Sequence, residues 1–195
     1  MAAIIDVEQC AGLRGKAAIL YATDHPGEGI PGSLAVDLSE PVADPRDRFE
    51  ALGISDATPV VAYGELAPCV WWLARVAGLR NVAVLDGGLH AWEASGRATG
   101  ALGEPGGRGT ITADMAEEFI AEEEESDGYV TTLRVDEALH AALVDERGYF
   151  SPSARRVLEE RAGGARALIF SRGERACAGA LAATVAGYGD VRVIP

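Results

Sequence analysis

Thiols and imidazoles are the side chains of this 195-residue chain best suited to covalent or metal chemistry, and there are three of each. Cys10, Cys69 and Cys177 are too scattered for a CxxC metal site or a disulfide framework. His25, His90 and His140 show no metal-ligand spacing, so neither a metal nor another cofactor is expected. Cys177 lies in an Ala-rich helical stretch and reads as a small buried hydrophobe.

Composition bounds the partners. A formal net charge of -13 makes the phosphate term repulsive, which argues against nucleic acid and against an anionic membrane surface. No run approaches the roughly 18 to 20 apolar residues of a membrane span. The opening "MAAIIDVEQC" meets charge at Asp6 without a basic leader, so no signal peptide and a cytoplasmic location are expected. Lys16 is the single lysine among 17 basic residues, an arginine bias that suggests a GC-rich bacterial source.

The elements that must position any site alternate in type. "AAILYA" (17–22), "GSLAVDL" (32–38), "TPVVAY" (58–63) and "NVAVL" (81–85) are short apolar runs that predict strands. Between them, Pro45 to Leu52 predicts a helix with Asp44 as N-cap and Pro45 at its first position. A further helix is expected over Cys69 to Ala77, and a short one after "DGG". This order predicts an α/β fold with a mainly parallel sheet. "GRATGALGEPGGRG" (96–109) has a linker's composition. In "ADMAEEFIAEEEESDG" (113–128), Met115, Phe119 and Ile120 give a short helix an apolar edge. Glu122 to Glu125 read there as a solvated face, with an acidic binding segment as the alternative.

The second half repeats the first. "VAGLRNVAVL" (76–85) and "VAGYGDVRVI" (185–194) agree at five of ten positions. Upstream of each stand a helix, an apolar strand (Val60 to Tyr63; Ala167 to Phe170), a Gly-containing loop and a second helix. Two copies of one supersecondary unit follow. The expected domains are a complete one over 1–98, a Gly-rich linker and acidic helical segment over 99–128, and a truncated one over 129–195. The second copy holds one helix, Pro152 to Arg161, where the first holds "GIPGSLAVDL", so its sheet should lack a strand. An open sheet edge predicts a cover: the partner domain, the acidic segment, a second copy in a homodimer, or another protein.

Taken in order, "IPGSLAVDL", "TPVVAYG", "VWWLARVAGLRNVAVLDGGLHAW" and "LVDER" resemble the tandem-domain rhodaneses, the thiosulfate and 3-mercaptopyruvate sulfurtransferases. The resemblance implies two rhodanese-like α/β units, the first of the inactive type. It also implies a cysteine at a strand end of the second unit. There a loop of inward backbone N–H groups and a helix N-terminus lower the thiol pKa and steady a persulfide formed from an anionic sulfur donor. The corresponding segment is "ALIFSRGERACAGAL" (167–181).

Against the family loop, Cys-x-x-Gly-x-x-Ala, a gapless alignment puts Phe170 at the cysteine position. A one-residue deletion puts Ser171 there instead. A serine hydroxyl cannot carry sulfane sulfur and is a poor nucleophile without a base. The resemblance further implies substrate binding by Arg147 of "LVDER", with Arg172, Gly173 and Arg175 in or beside the loop. Guanidinium groups suit bidentate capture of carboxylate, phosphate or sulfonate, so a small anionic ligand or sulfur donor is the expected partner. Surface or ion-pair roles for these arginines stay open. Two functions remain in view. One is a degenerate rhodanese-like binding or interaction module. The other is an enzyme, using a relocated Cys69 or Cys177 or a repurposed pocket around Ser171.

Overall fold

The computed structural model describes residues 1–39, 44–171 and 173–195, with Glu174 described in its backbone alone. Arg172, one of the arginines expected at the site, lies outside the described residues. Two units form, Met1–Ala116 and Glu117–Pro195.

The first unit runs β1 (Ile4–Ile5), α1 (Val7–Leu13), β2 (Ala18–Ala22), β3 (Leu34–Val36), α2 (Pro45–Ala51), β4 (Val60–Tyr63), α3 (Ala67–Val76), β5 (Val82–Leu85) and α4 (Gly88–Ala94). Its sheet has the order β1-β5-β4-β2-β3, and every pairing is parallel. β4 and β5 are buried at every residue, as parallel strands covered on both faces must be. Asp44 caps α2 by accepting from the Arg46 amide at 2.9 Å, with Pro45 at the first position, where a missing N–H costs nothing. α3 begins at Ala67, two residues before the expected start. Val61 and Tyr63 of β4 share one core with Cys10 of α1 and Trp92 of α4. The alternate residues Val60 and Ala62 therefore face the other side.

The Gly-rich stretch expected as a linker is fastened to this unit. Gly29 and Gly100 exchange backbone hydrogen bonds, and the Gly109 amide donates to the Glu50 carbonyl. Glu50 also accepts the Ile111 amide, and Asp56 accepts those of Thr112 and Ala113. Arg108 pairs with Asp47 and Glu50, and the Ala116 amide donates to the Val76 carbonyl. Glycine here permits close backbone approach: a Cβ on Gly109 would collide with the Ile54 carbonyl. Composition suggests a flexible linker; distant carboxylates make it a strap.

The second unit opens with a 3-10 turn (Glu117–Phe119) in place of the expected short helix. It continues with β6 (Val130–Arg134), α5 (Glu137–Leu143), α6 (Ala154–Ala162), β7 (Ala167–Ser171), α7 (Glu174–Val185) and β8 (Asp190–Ile194). Its three strands pair in parallel in the order β6-β7-β8. Outside β8, Ile120 bridges Val193 in parallel and Ala121 donates to the Val193 carbonyl. The start of the acidic segment thus covers that edge. On the other flank, Ser126 and Thr131 form an antiparallel bridge. α5, α6 and α7 pack together on one face of the sheet.

The two units pair in matching register. Ile4 pairs with Val84 and Ile120 with Val193, which are equivalent under the 109-residue offset of the two Val-Ala-Gly motifs. By the same offset Val82 matches Val191, so their partners Val60 and Leu168 are equivalent, as are Ala62 and Phe170. One residue further, Tyr63 matches Ser171.

Phe170 points at α7, where Gly179 leaves room for its ring. A Cβ on Gly179 would lie 2.6 Å from that ring and 2.8 Å from Val135. Gly179→Ala should therefore destabilise by about 1–3 kcal/mol despite the better helix propensity. Gly12→Ala, in α1 with nothing within 4 Å of the new Cβ, should stabilise by about 0.5–1 kcal/mol. Denaturant unfolding of both variants checks the pair.

Candidate functional site

The strand end of β7 is where the sequence places its site. Phe170 is fully buried against α7, so the pleat sends Ser171 to the opposite face, the side of Ala167, Ile169 and Ile194. Ser171 is buried as well, at 5% exposure. From Ser171 only one residue leads to Gly173 (φ +98°), and α7 starts at Glu174. The family pattern sets two residues between its cysteine and the glycine, so the loop measured from Ser171 is one residue shorter. Cys177 is the fourth residue of α7.

The sheet register identifies a residue that sequence reasoning missed. Arg134, the last residue of β6, pairs directly with Ser171 and emerges exposed on the same face. Nothing in its local sequence marks it, since the two residues are 37 apart and meet only through β6–β7 pairing. Arg147 lies in the connection between α5 and α6. "LVDER" supplies the end of α5 and a tight turn in which Val144 bridges Phe150. The Asp145 carboxylate accepts the Arg147 and Tyr149 amides at 2.8 and 2.9 Å, leaving Arg147 exposed at the tip. Arg175 is exposed in the first turn of α7. Its charge adds to the burial that lowers the pKa of His140 in α5, the helix packed with α7. Pleat and packing thus set His140 on the face opposite Ser171. The sheet brings Arg134 and Ser171 together; the expected set of Ser171, Arg147 and Arg175 does not form one row.

In the first unit the equivalent place is plugged. Tyr63, the counterpart of Ser171, stacks on Tyr21, the counterpart of Arg134, with ring centroids 4.5 Å apart. Its hydroxyl accepts the Ile30 amide at 2.9 Å and shares a 2.7 Å hydrogen bond with Ser33. Burial raises the Tyr63 pKa, and these two bonds offset part of the rise. Gly64 (φ +104°) then carries the chain over the Ala22 carbonyl, where a Cβ would overlap it.

The thiols are withdrawn from solvent. Cys10, Cys69 and Cys177 are all buried and unbridged. Burial pushes the Cys10 thiol up to about 11, against the opposing pull of Arg14 and Arg97. Among the described residues, no group of three or more His, Cys, Asp or Glu side chains is placed to hold a metal ion. Nor is any described helix long and apolar enough to cross a membrane.

Comparison with known proteins fits this geometry. Residues 13–95 match the family model described as the rhodanese-like domain. "Thiosulfate/3-mercaptopyruvate sulfurtransferase 2" of Arabidopsis thaliana is 39% identical over 85 residues, covering 34% of this chain and 25% of that protein. "Thiosulfate sulfurtransferase" of Bos taurus is 48% identical over 52 residues, covering 24% and 18%. The matched stretches thus span a quarter or less of these relatives' own length. Among solved structures, SseA from Escherichia coli superposes with a TM-score of 0.80 at 17% identity, covering 100% of this chain and 98% of that one. YnjE gives 0.82 at 15% identity, covering 98% and 64%. The fold is the rhodanese fold.

His140 offers a test of the α5–α7 contact. Burial, and secondarily Arg175, holds its pKa below the usual value near 6.5. The folded state therefore resists protonation, and His140's contribution to stability falls as pH drops below about 6.5. NMR titration should give a depressed pKa that rises only partly in Arg175→Ala, since burial is the larger cause.

Proposed function

We propose that this chain, which carries a rhodanese-like domain over residues 13–95, has given up persulfide transfer and serves as a binding module for a small anion or an anionic group of a partner. One observation carries the reading. At the equivalent strand end of both units the residue is not a cysteine but Ser171 or Tyr63. A hydroxyl accepts and donates hydrogen bonds but cannot hold sulfane sulfur.

What remains at Ser171 suits capture more than turnover. Arg134 stands beside it in the sheet register, an exposed arginine next to a buried serine on the same face. In a net-acidic chain, such a cation locally reverses the field that an anion meets. His140 lies on α5, which packs with α7 on the other face of the sheet, and this argues against a repurposed serine nucleophile. Burial of Cys69 and Cys177 argues against a relocated thiolate.

Incubation with thiosulfate or 3-mercaptopyruvate, followed by intact mass and by thiocyanate release with cyanide, should show no sulfur adduct and no turnover. An adduct lost in Cys69→Ser or Cys177→Ser would overturn the reading. Thiosulfate should raise the melting temperature of the wild type beyond matched chloride, and Arg134→Ala should abolish that rise.

A further inference from the structure

In the first unit, the strap's final residues lie in a groove between the α2–β4 and α3–β5 connections, at the N-terminal end of the strands. Ala113 presses on Gly78, Ile111 is buried, and Ala116 bonds the Val76 carbonyl. Beneath them Val76 is 3% exposed and Leu79 2%. The same motif recurs at Val185 to Tyr188 of the second unit, and there it is bare. Val185 is 52% exposed, and a Cβ on Gly187 would meet nothing within 4 Å. The corresponding α6–β7 and α7–β8 connections enclose an open cavity of about 420 Å³, lined by Arg155, Glu159, Gly164, Arg166, Gly187 and Tyr188 among others. The first copy of the motif shows what such a groove can hold.

We propose that this cavity docks an extended peptide segment bearing acidic side chains, supplied by a partner protein. The repeat supplies the mode, and charge supplies the chemistry. In the first unit the groove offers carboxylates: Glu50 and Asp56 accept the strap's amides, and the strap brings Arg108. In the second unit the polarity is reversed. Arg155 and Arg166 line the wall, and Tyr188 adds a hydroxyl. Among the described residues Arg166 has no ion-pair partner. Arg155 bonds Glu159 at 2.9 Å, an exposed i,i+4 pair weak enough to exchange for a ligand carboxylate. Exposed Val185 gives the segment an apolar step where Val76 is buried beneath the strap. Tyr129, also exposed, stands beside Arg166, whose amide donates to the Tyr129 carbonyl. This site lies at the opposite strand end from Ser171, so it stands or falls independently of persulfide chemistry.

The test uses the full chain and a fluorescent synthetic peptide copying residues 107–116 with Arg108→Asp, titrated at low salt and followed by anisotropy. Saturable binding is expected, weakened about tenfold or more by Arg166→Glu and by Arg155→Glu, both exposed changes that leave the fold intact by circular dichroism. The unaltered sequence with Arg108 should bind more weakly than the acidic probe. No saturable binding overturns the proposal, as does affinity unchanged in both variants. Full displacement of the peptide by inorganic phosphate, at concentrations where chloride has no effect, would identify an anion site instead and would equally overturn it.

Discussion

The pleat of the central parallel strand governs both units. β4 and β7 are each flanked by paired neighbours on both edges and buried at every residue, so each side chain must belong to one face or the other. A shift of one residue exchanges the two faces. Helix α7, packed through Gly179, accepts the Phe170 ring and so fixes the phase. Everything at the strand end follows: Ser171 turns to the far face, Arg134 becomes its neighbour, and α7 begins almost at once. The same phase in the first unit sends Tyr63 into the core shared with α1 and α4, where its hydroxyl is satisfied by Ile30 and Ser33.

Strands with continuous apolar runs were legible in the sequence, as was α2 with its Asp-Pro start, because burial and capping are written in local residue types. β1 was not, because two residues give no period to detect. "VTTLR" hides β6 behind two threonines and an arginine, though its pairing with β7 makes it a strand. The facing of Phe170 and Ser171 was also closed to sequence, because cross-strand pairing and packing against α7 set which of them turns to which face. Arg147 drew attention through a motif, whereas Arg134 owes its position to a partner strand that lies well downstream in the chain. The composition of residues 96–109 misleads for a related reason. Glycine-rich composition signals freedom, but Glu50 and Asp56, some fifty to sixty residues earlier, remove it.

The two units therefore use one scaffold with different closures. The first fills its strand end with a tyrosine pair and its opposite end with its own strap, leaving both satisfied from within. The second keeps a hydroxyl and a guanidinium at one end and arginines around a cavity at the other. Its β8 edge is covered by Ile120 and Ala121 in the place β1 takes in the first unit. The shared register makes such contrasts informative, since each unit is a control for the other.

The strap also keeps count. Gly100 is fixed against Gly29, Gly109 against Glu50, Thr112 against Asp56 and Ala116 against Val76, so the spacing between these points is set by the surface beneath. Substitutions can drift at positions such as Gly106, where a Cβ would meet nothing within 4 Å, but not at Gly109, and an inserted or deleted residue would pull Ile111 or Ala113 out of place. A segment that looks the most expendable in composition is thus among the least free to vary in length. Recombination that exchanges the second unit for another has its natural joint after Ala116, not in the glycines before it.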